Sequence, residues 1–135
     1  MKWWKISMPD FEMEEKLFRK IPAVPGFVVD DENGKRISSA AFKDSKGCSV
    51  DRQLKRDETS VYNQMYQKFK ESSSGIQAIA NITYSQCLDV SAVVKELPEE
   101  DNTYHCEIHS SEEKIQLSSS QAKRLANNAT VFFVE

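Results

Sequence analysis

Both histidines of the chain fall in one heptapeptide, TYHCEIH (103–109), with Glu107 midway between His105 and His109. Imidazole titrates near neutrality and is the commonest metal ligand, so a His-x-Glu-x-His row raises two chemistries: a transition-metal site or a general acid–base centre. In an extended segment side chains alternate, which puts His105, Glu107 and His109 on one face and Tyr104, Cys106 and Ile108 on the other. A structural zinc site needs a fourth donor, and no second cluster of Cys, His or Asp stands nearby in the chain, so no metal is expected. A solvated strand face is the preferred reading of the row; His105 alone is retained as a candidate acid or base.

The second cluster is RISSAAFKDSKGCSVDR (36–52), where Ser38, Ser39, Ser45 and Ser49 stand among Asp44, Asp51 and Arg52. Hydroxyls beside a strand end can line a polar pocket, and Gly47 permits close backbone approach. No G-x-S-x-G elbow is present to support a serine nucleophile. The structural alternative is that Ser39, Ala40 and Ala41 are small because a helix packs on them, and that Asp51 ties down a turn. The adjoining DRQLKRD interleaves Arg52, Lys55 and Arg56 with acids, the pattern of a solvated surface. An enzyme would need His105 as general acid or base, Asp51 or Glu107 to orient it, and Arg19 or Arg52 to bind a phosphate. At the start of the chain, Trp3 and Trp4 between Lys2 and Lys5 suit docking to a partner or stacking on bases, unless they fold back on the core.

These residues need elements to hold them. DFEMEEKLFRK after Pro9 reads as an amphipathic helix, with Asp10 as N-cap, Met13, Leu17 and Ile21 at helical spacing, and Pro22 as its stop; KLFRKI as a strand is the alternative. FVVDDENGKRISSAAF reads as a hairpin with Asn33-Gly34 as a type I′ loop, which sets Glu32 opposite Lys35 and Asp31 opposite Arg36. Val61, Met65 and Phe69 mark a helix packed on a sheet. GIQAIANIT, LDVSAVVKELP, TYHCEIH and TVFFVE read as strands. TYSQ and SSSQ are capping boxes, stapled by Ile82 with Cys87 and by Leu117 with Ala122. Ala122, Leu125, Ala126 and Ala129 form a narrow stripe that lets the last helix lie close to the sheet. The sum is a single α+β domain over 1–135, with a mixed or largely antiparallel sheet and helices packed on one face.

Composition bounds the function classes. The 135 residues suit one domain, and 39% apolar residues with two Trp, four Tyr and seven Phe exclude a disordered chain despite 29% charged residues. A net charge of −3 gives no general attraction to nucleic acid, though a local basic patch remains open. Cys48, Cys87 and Cys106 are odd in number and widely spaced, which points away from a disulfide framework and towards a reducing cytoplasm. The start lacks a signal-peptide apolar run and no segment approaches the length of a membrane span, so a soluble, non-secreted protein without membrane contact is expected. No phosphate loop, dinucleotide fingerprint or metal box implies a cofactor, and none is expected.

LFRKIP, SSAAFKD and CSVDR, followed by PEEDNTYH and AKRLANNATVFFV, together resemble a group of short stand-alone bacterial proteins to which no activity is assigned. The resemblance covers residues 17–135 and draws attention to Arg19, Ser39, Phe42, Ser49, Asp51 and His105. It implies a bacterial protein but transfers no reaction. Two functions follow as expectations. The first is a non-enzymatic binding or adaptor module acting with a partner protein in a defence or toxin–antitoxin type locus. The second is a small enzyme acting on a nucleotide or nucleic acid through His105. They part on geometry: convergence of His105, Asp51 and a cation around one concave pocket favours the enzyme, and a flat apolar patch with Trp3 or Trp4 favours the adaptor.

Overall fold

The computed structural model describes residues 10–134. Eight strands and three helices follow in the order β1 (Lys16–Ile21), β2 (Val28–Asp31), β3 (Gly34–Ile37), β4 (Cys48–Arg52), α1 (Glu58–Phe69), β5 (Ala78–Thr83), α2 (Tyr84–Asp89), β6 (Val93–Glu96), β7 (His105–His109), α3 (Ser119–Asn128) and β8 (Thr130–Phe133). Six strands form one sheet in the order β6-β7-β4-β1-β5-β8, and every pairing in it is antiparallel. β2 and β3 form a separate hairpin. The chain is therefore an α+β domain, as its pattern of elements implied. Among the described residues no helix is long and apolar enough to cross a membrane.

The expected helix at the start of this region is instead β1, flanked by β4 and β5 in the middle of the sheet. Both of its faces are covered. Leu17 and Ile21 enter the main core, while Phe18 enters a second, smaller core with Val61, Met65 and Ile79. A strand buried on both sides has no period-two alternation to display, and apolar residues at 17, 18 and 21 then mimic one helical face. Met13 is exposed in a turn, and Asp10 caps nothing; its carbonyl accepts a hydrogen bond from Arg52 (2.9 Å).

Alternate side chains of β1 and its neighbouring strands point to opposite sides and sort the sheet into two faces. Cys48, Val50, Ala78, Ala80, Ile82, Val94, Cys106 and Ile108 meet α2, α3 and the 3-10 turn Ser39–Phe42 in the main core. That turn packs against α3, which is the structural reason for the small residues there, and Phe42 is fully buried. Both capping boxes form: Thr83 and Gln86 at α2, Ser118 and Gln121 at α3. Thus α2 and α3 share one face as expected, whereas α1, capped by Asp57, lies on the opposite face over Phe18 and Ile79. Tyr62 fastens it, with its ring edge-on to Phe18 and its hydroxyl accepting from Asn81 (2.7 Å).

The hairpin forms in a different register from the expected one. Asp31 pairs with Gly34 and Asp30 with Lys35, so Glu32 and Asn33 are the loop, and of the Asn33-Gly34 pair only Gly34 has a positive φ (105°). Asp31 decides this. Its Oδ1 accepts from the Asn33 N–H (2.9 Å), closing a local turn that the type I′ alternative would lack. Arg36 still reaches Asp31, now diagonally, with two hydrogen bonds of 2.9 and 3.2 Å.

Candidate functional site

Because α1 covers only the β1–β5 side of its face, the strip formed by β4 and β7 is left open. Ladder register fills that strip: Asp51 stands opposite His105, and Ser49 opposite Glu107. Met65, Lys68 and Phe69 of α1 form one wall, and Glu99, Asp101 and Asn102 of the β6–β7 connection form the other. The result is a cleft of about 400 Å³ with Ser49, Asp51, His105 and Lys20 on its floor, within the size range of small-ligand sites. His105 and Asp51, singled out from sequence, are thus brought together, and Ser49 joins them.

The hydrogen bonds of His105 define its role. Nδ1 lies 2.9 Å from the Leu97 carbonyl, which can only accept, so the ring proton sits on Nδ1. In the neutral ring Nε2 then carries the lone pair, and it faces Ser49 Oγ at 3.3 Å. Carboxylate oxygens of Glu99 and Glu107 each stand 4.0 Å from a ring nitrogen. Glu107 is itself held by His109 (2.9 Å) and lies over Gly47, where a Cβ would come within 2.3 Å of its Oε1. Asp51 accepts from Asn102 Nδ2 (2.8 Å), which ties the far wall to the floor.

The cations of the cleft are lysines. Lys20 Nζ sits 4.2 Å from the centre of the Phe69 ring and Lys68 Nζ 5.3 Å from the same ring. Neither forms a salt bridge among the described residues. Partial burial, with the positive charges of Arg19 and Lys68 nearby, moves the Lys20 ammonium below its ordinary pKa. Two cations around one aromatic ring without a carboxylate between them make an anion-binding end.

The arginines expected to bind phosphate do other work. Arg19 Nε donates to the Ala41 carbonyl (2.6 Å) and its Nη1 to the Ser49 carbonyl (2.9 Å), so it borders the cleft while its guanidinium anchors the backbone beneath Ser49. Arg52, only 3% exposed, points into the main core side, clasped by Glu15 through two hydrogen bonds (2.7 and 2.8 Å) and by Glu96 (2.5 Å), with Phe11 stacked at 4.1 Å. Neither converges on His105. Ser39 and Phe42 belong to the turn under α3, away from the cleft. Trp3 and Trp4 lie outside the described residues. Tyr104, expected on the core face, instead stacks under the Arg56 guanidinium (3.5 Å) beside the cleft.

Sequence reasoning missed Lys20, Lys68, Leu97 and Asn102. Lys20 was legible once KLFRKI is a strand, since it shares the face of Phe18; a backbone carbonyl such as that of Leu97 leaves no signal in side-chain types. Among the described residues no group of three Cys, His, Asp or Glu side chains is placed to hold a metal ion. Comparison with protein-family models, with curated proteins and with solved structures returns no match.

Proposed function

We propose that the protein is a small enzyme acting on a compact anionic substrate, with His105 as general base. The observation that carries this reading is the polarised imidazole: Leu97 holds the Nδ1 proton and leaves the Nε2 lone pair aimed at a hydroxyl in an open cleft. Nε2 takes a proton from a water molecule held beside Ser49 Oγ, the water oxygen bonds to the phosphorus or carbonyl carbon of the substrate ester as the bond to the leaving oxygen breaks, and the imidazolium gives its proton to that leaving oxygen. Lys20 and Lys68 bind the anionic part of the substrate and offset charge that builds up during attack. Three cysteines without bridges support a reducing, cytoplasmic setting. The adaptor reading rests on the absence of catalytic motifs in the sequence and on Trp3 and Trp4, which lie outside the described residues; the cleft around His105 favours the enzyme.

The test is turnover of a panel of chromogenic phosphate and carboxylate esters, beside an NMR titration of the His105 ring with inorganic phosphate. Turnover that falls by about 100-fold or more in His105→Ala, with the fold intact, is the expected result. Equal turnover in wild type and variant overturns the assignment, as does a panel without turnover combined with ring signals that phosphate does not move.

A further inference from the structure

The cleft does not end at His105. A second lobe of about 260 Å³ continues it and shares Asp51, Met65, Lys68, Asp101 and Asn102 with the first. The two lobes differ in chemistry. The first has Lys20 at one end, the second is bounded by the stacked pair of Arg56 and Tyr104, and Lys68, Asp51 and Asp101 line both. Building on the reading above, we propose that the ligand is a mononucleotide: its phosphate between Lys20 and Lys68, its ribose hydroxyls against Asp51 and Asp101, and its base on the Arg56–Tyr104 stack.

Three observations support this placement. The Arg56 guanidinium is immobilised before any ligand arrives, donating to the Gln53 carbonyl (3.0 Å), Gln64 Oε1 (2.6 Å) and the Arg52 carbonyl (2.6 Å). A planar cation fixed over an aromatic ring is a ready platform for a nucleobase, and stacking on it tolerates any base. Carboxylates in the middle repel a second anion but accept hydrogen bonds from a sugar diol, which separates a ribose from a run of phosphates. Finally, one lysine pair matches one phosphate group; Glu99, Glu100 and Asp101 on the rim, with a net charge of −3, oppose a polynucleotide continuing beyond it.

The experiment measures binding of AMP, ribose 5-phosphate, adenosine and inorganic phosphate to the full chain by NMR titration, with wild type, Tyr104→Ala and Lys68→Ala. AMP is expected to bind at least about tenfold more tightly than ribose 5-phosphate, an advantage that Tyr104→Ala abolishes while leaving the affinity for ribose 5-phosphate unchanged. Lys68→Ala, an exposed position on α1, should weaken AMP and ribose 5-phosphate alike and spare adenosine. If AMP and ribose 5-phosphate bind equally, the nucleotide assignment fails while the anionic-substrate reading stands. If adenosine binds as well as AMP, or if none of the four binds, the anionic end itself is wrong and both proposals fall.

Discussion

The Arg52–Glu15 pair shows how a charged residue can look functional and be structural. Burial pushes the Glu15 carboxyl up, but the hydrogen bonds from Arg52 and from the Leu54 N–H, with the charge of Arg52, outweigh it and hold the group below its ordinary value of 4.5. Its contribution to stability is therefore complete above that value and is lost as the pH falls through the lower, folded value. Arg52→Met should cost about 3–5 kcal/mol in urea unfolding at pH 7, because Glu15 is left charged and buried, and the loss should shrink on acidification. A cost that stays the same from pH 7 to pH 3 would mean that packing against Phe11, and not charge, is what Arg52 supplies. The thiols carry a second residue-scale expectation. Burial raises the pKa of Cys48 and Cys87, and pushes Cys106 up to about 12, so none is a thiolate near neutrality. Ellman's reagent should find no reactive thiol in the native protein and three after denaturation; fast labelling of even one would place that cysteine at an opening in the core.

At the scale of elements, the link between β4 and α1 contains the clearest strain. Leu54 and Lys55 both have left-handed φ values, 46° and 63°, in a tight turn closed by Arg56 N–H to the Gln53 carbonyl (3.1 Å). Side chains hold it there: Glu15 accepts from the Leu54 N–H (3.0 Å) and Gln53 donates to the Arg56 carbonyl (2.9 Å). Left-handed backbone costs a non-glycine residue about 1–2 kcal/mol, so Lys55→Gly should raise stability by roughly 0.5–1 kcal/mol after its entropy cost. An unchanged or lower urea midpoint would show that the lysine side chain pays for its own backbone. Legibility from sequence followed the range of the forces involved. The capping boxes, the α1 face and the polar row of β7 are set by residues within one or two turns of each other, and all could be read. β1 could not, because its two-sided burial depends on α1 and α3, which lie far along the chain. The cleft was half legible for the same reason: Asp51 and His105 announce themselves by type, whereas Lys20 and the Leu97 carbonyl matter only through where the sheet puts them.

Over the whole molecule, the two faces of the sheet are unequal. The main core gathers buried residues from α2, α3 and most strands, while α1 contributes only Val61 and Met65 as buried residues to the smaller core. Native-state hydrogen exchange should therefore show α1 opening at lower free energy than β1, β4 and β5, with ligand in the cleft raising the protection of α1 first. Uniform protection across α1 and the sheet would mean that the two cores open as one unit. The central position of β1 has a further consequence, in time instead of energy. It leaves the ribosome before either neighbour exists, and its pairing of Leu17 with Ile82 waits for about 65 more residues. At about 5–20 residues per second that wait is roughly 3–13 s, during which β1 has at most β4 to pair with and the β5 side of the sheet is missing. A strand flanked on both edges in the finished protein is thus the first of its sheet to be made, and a nascent-chain chaperone has that interval in which to hold it.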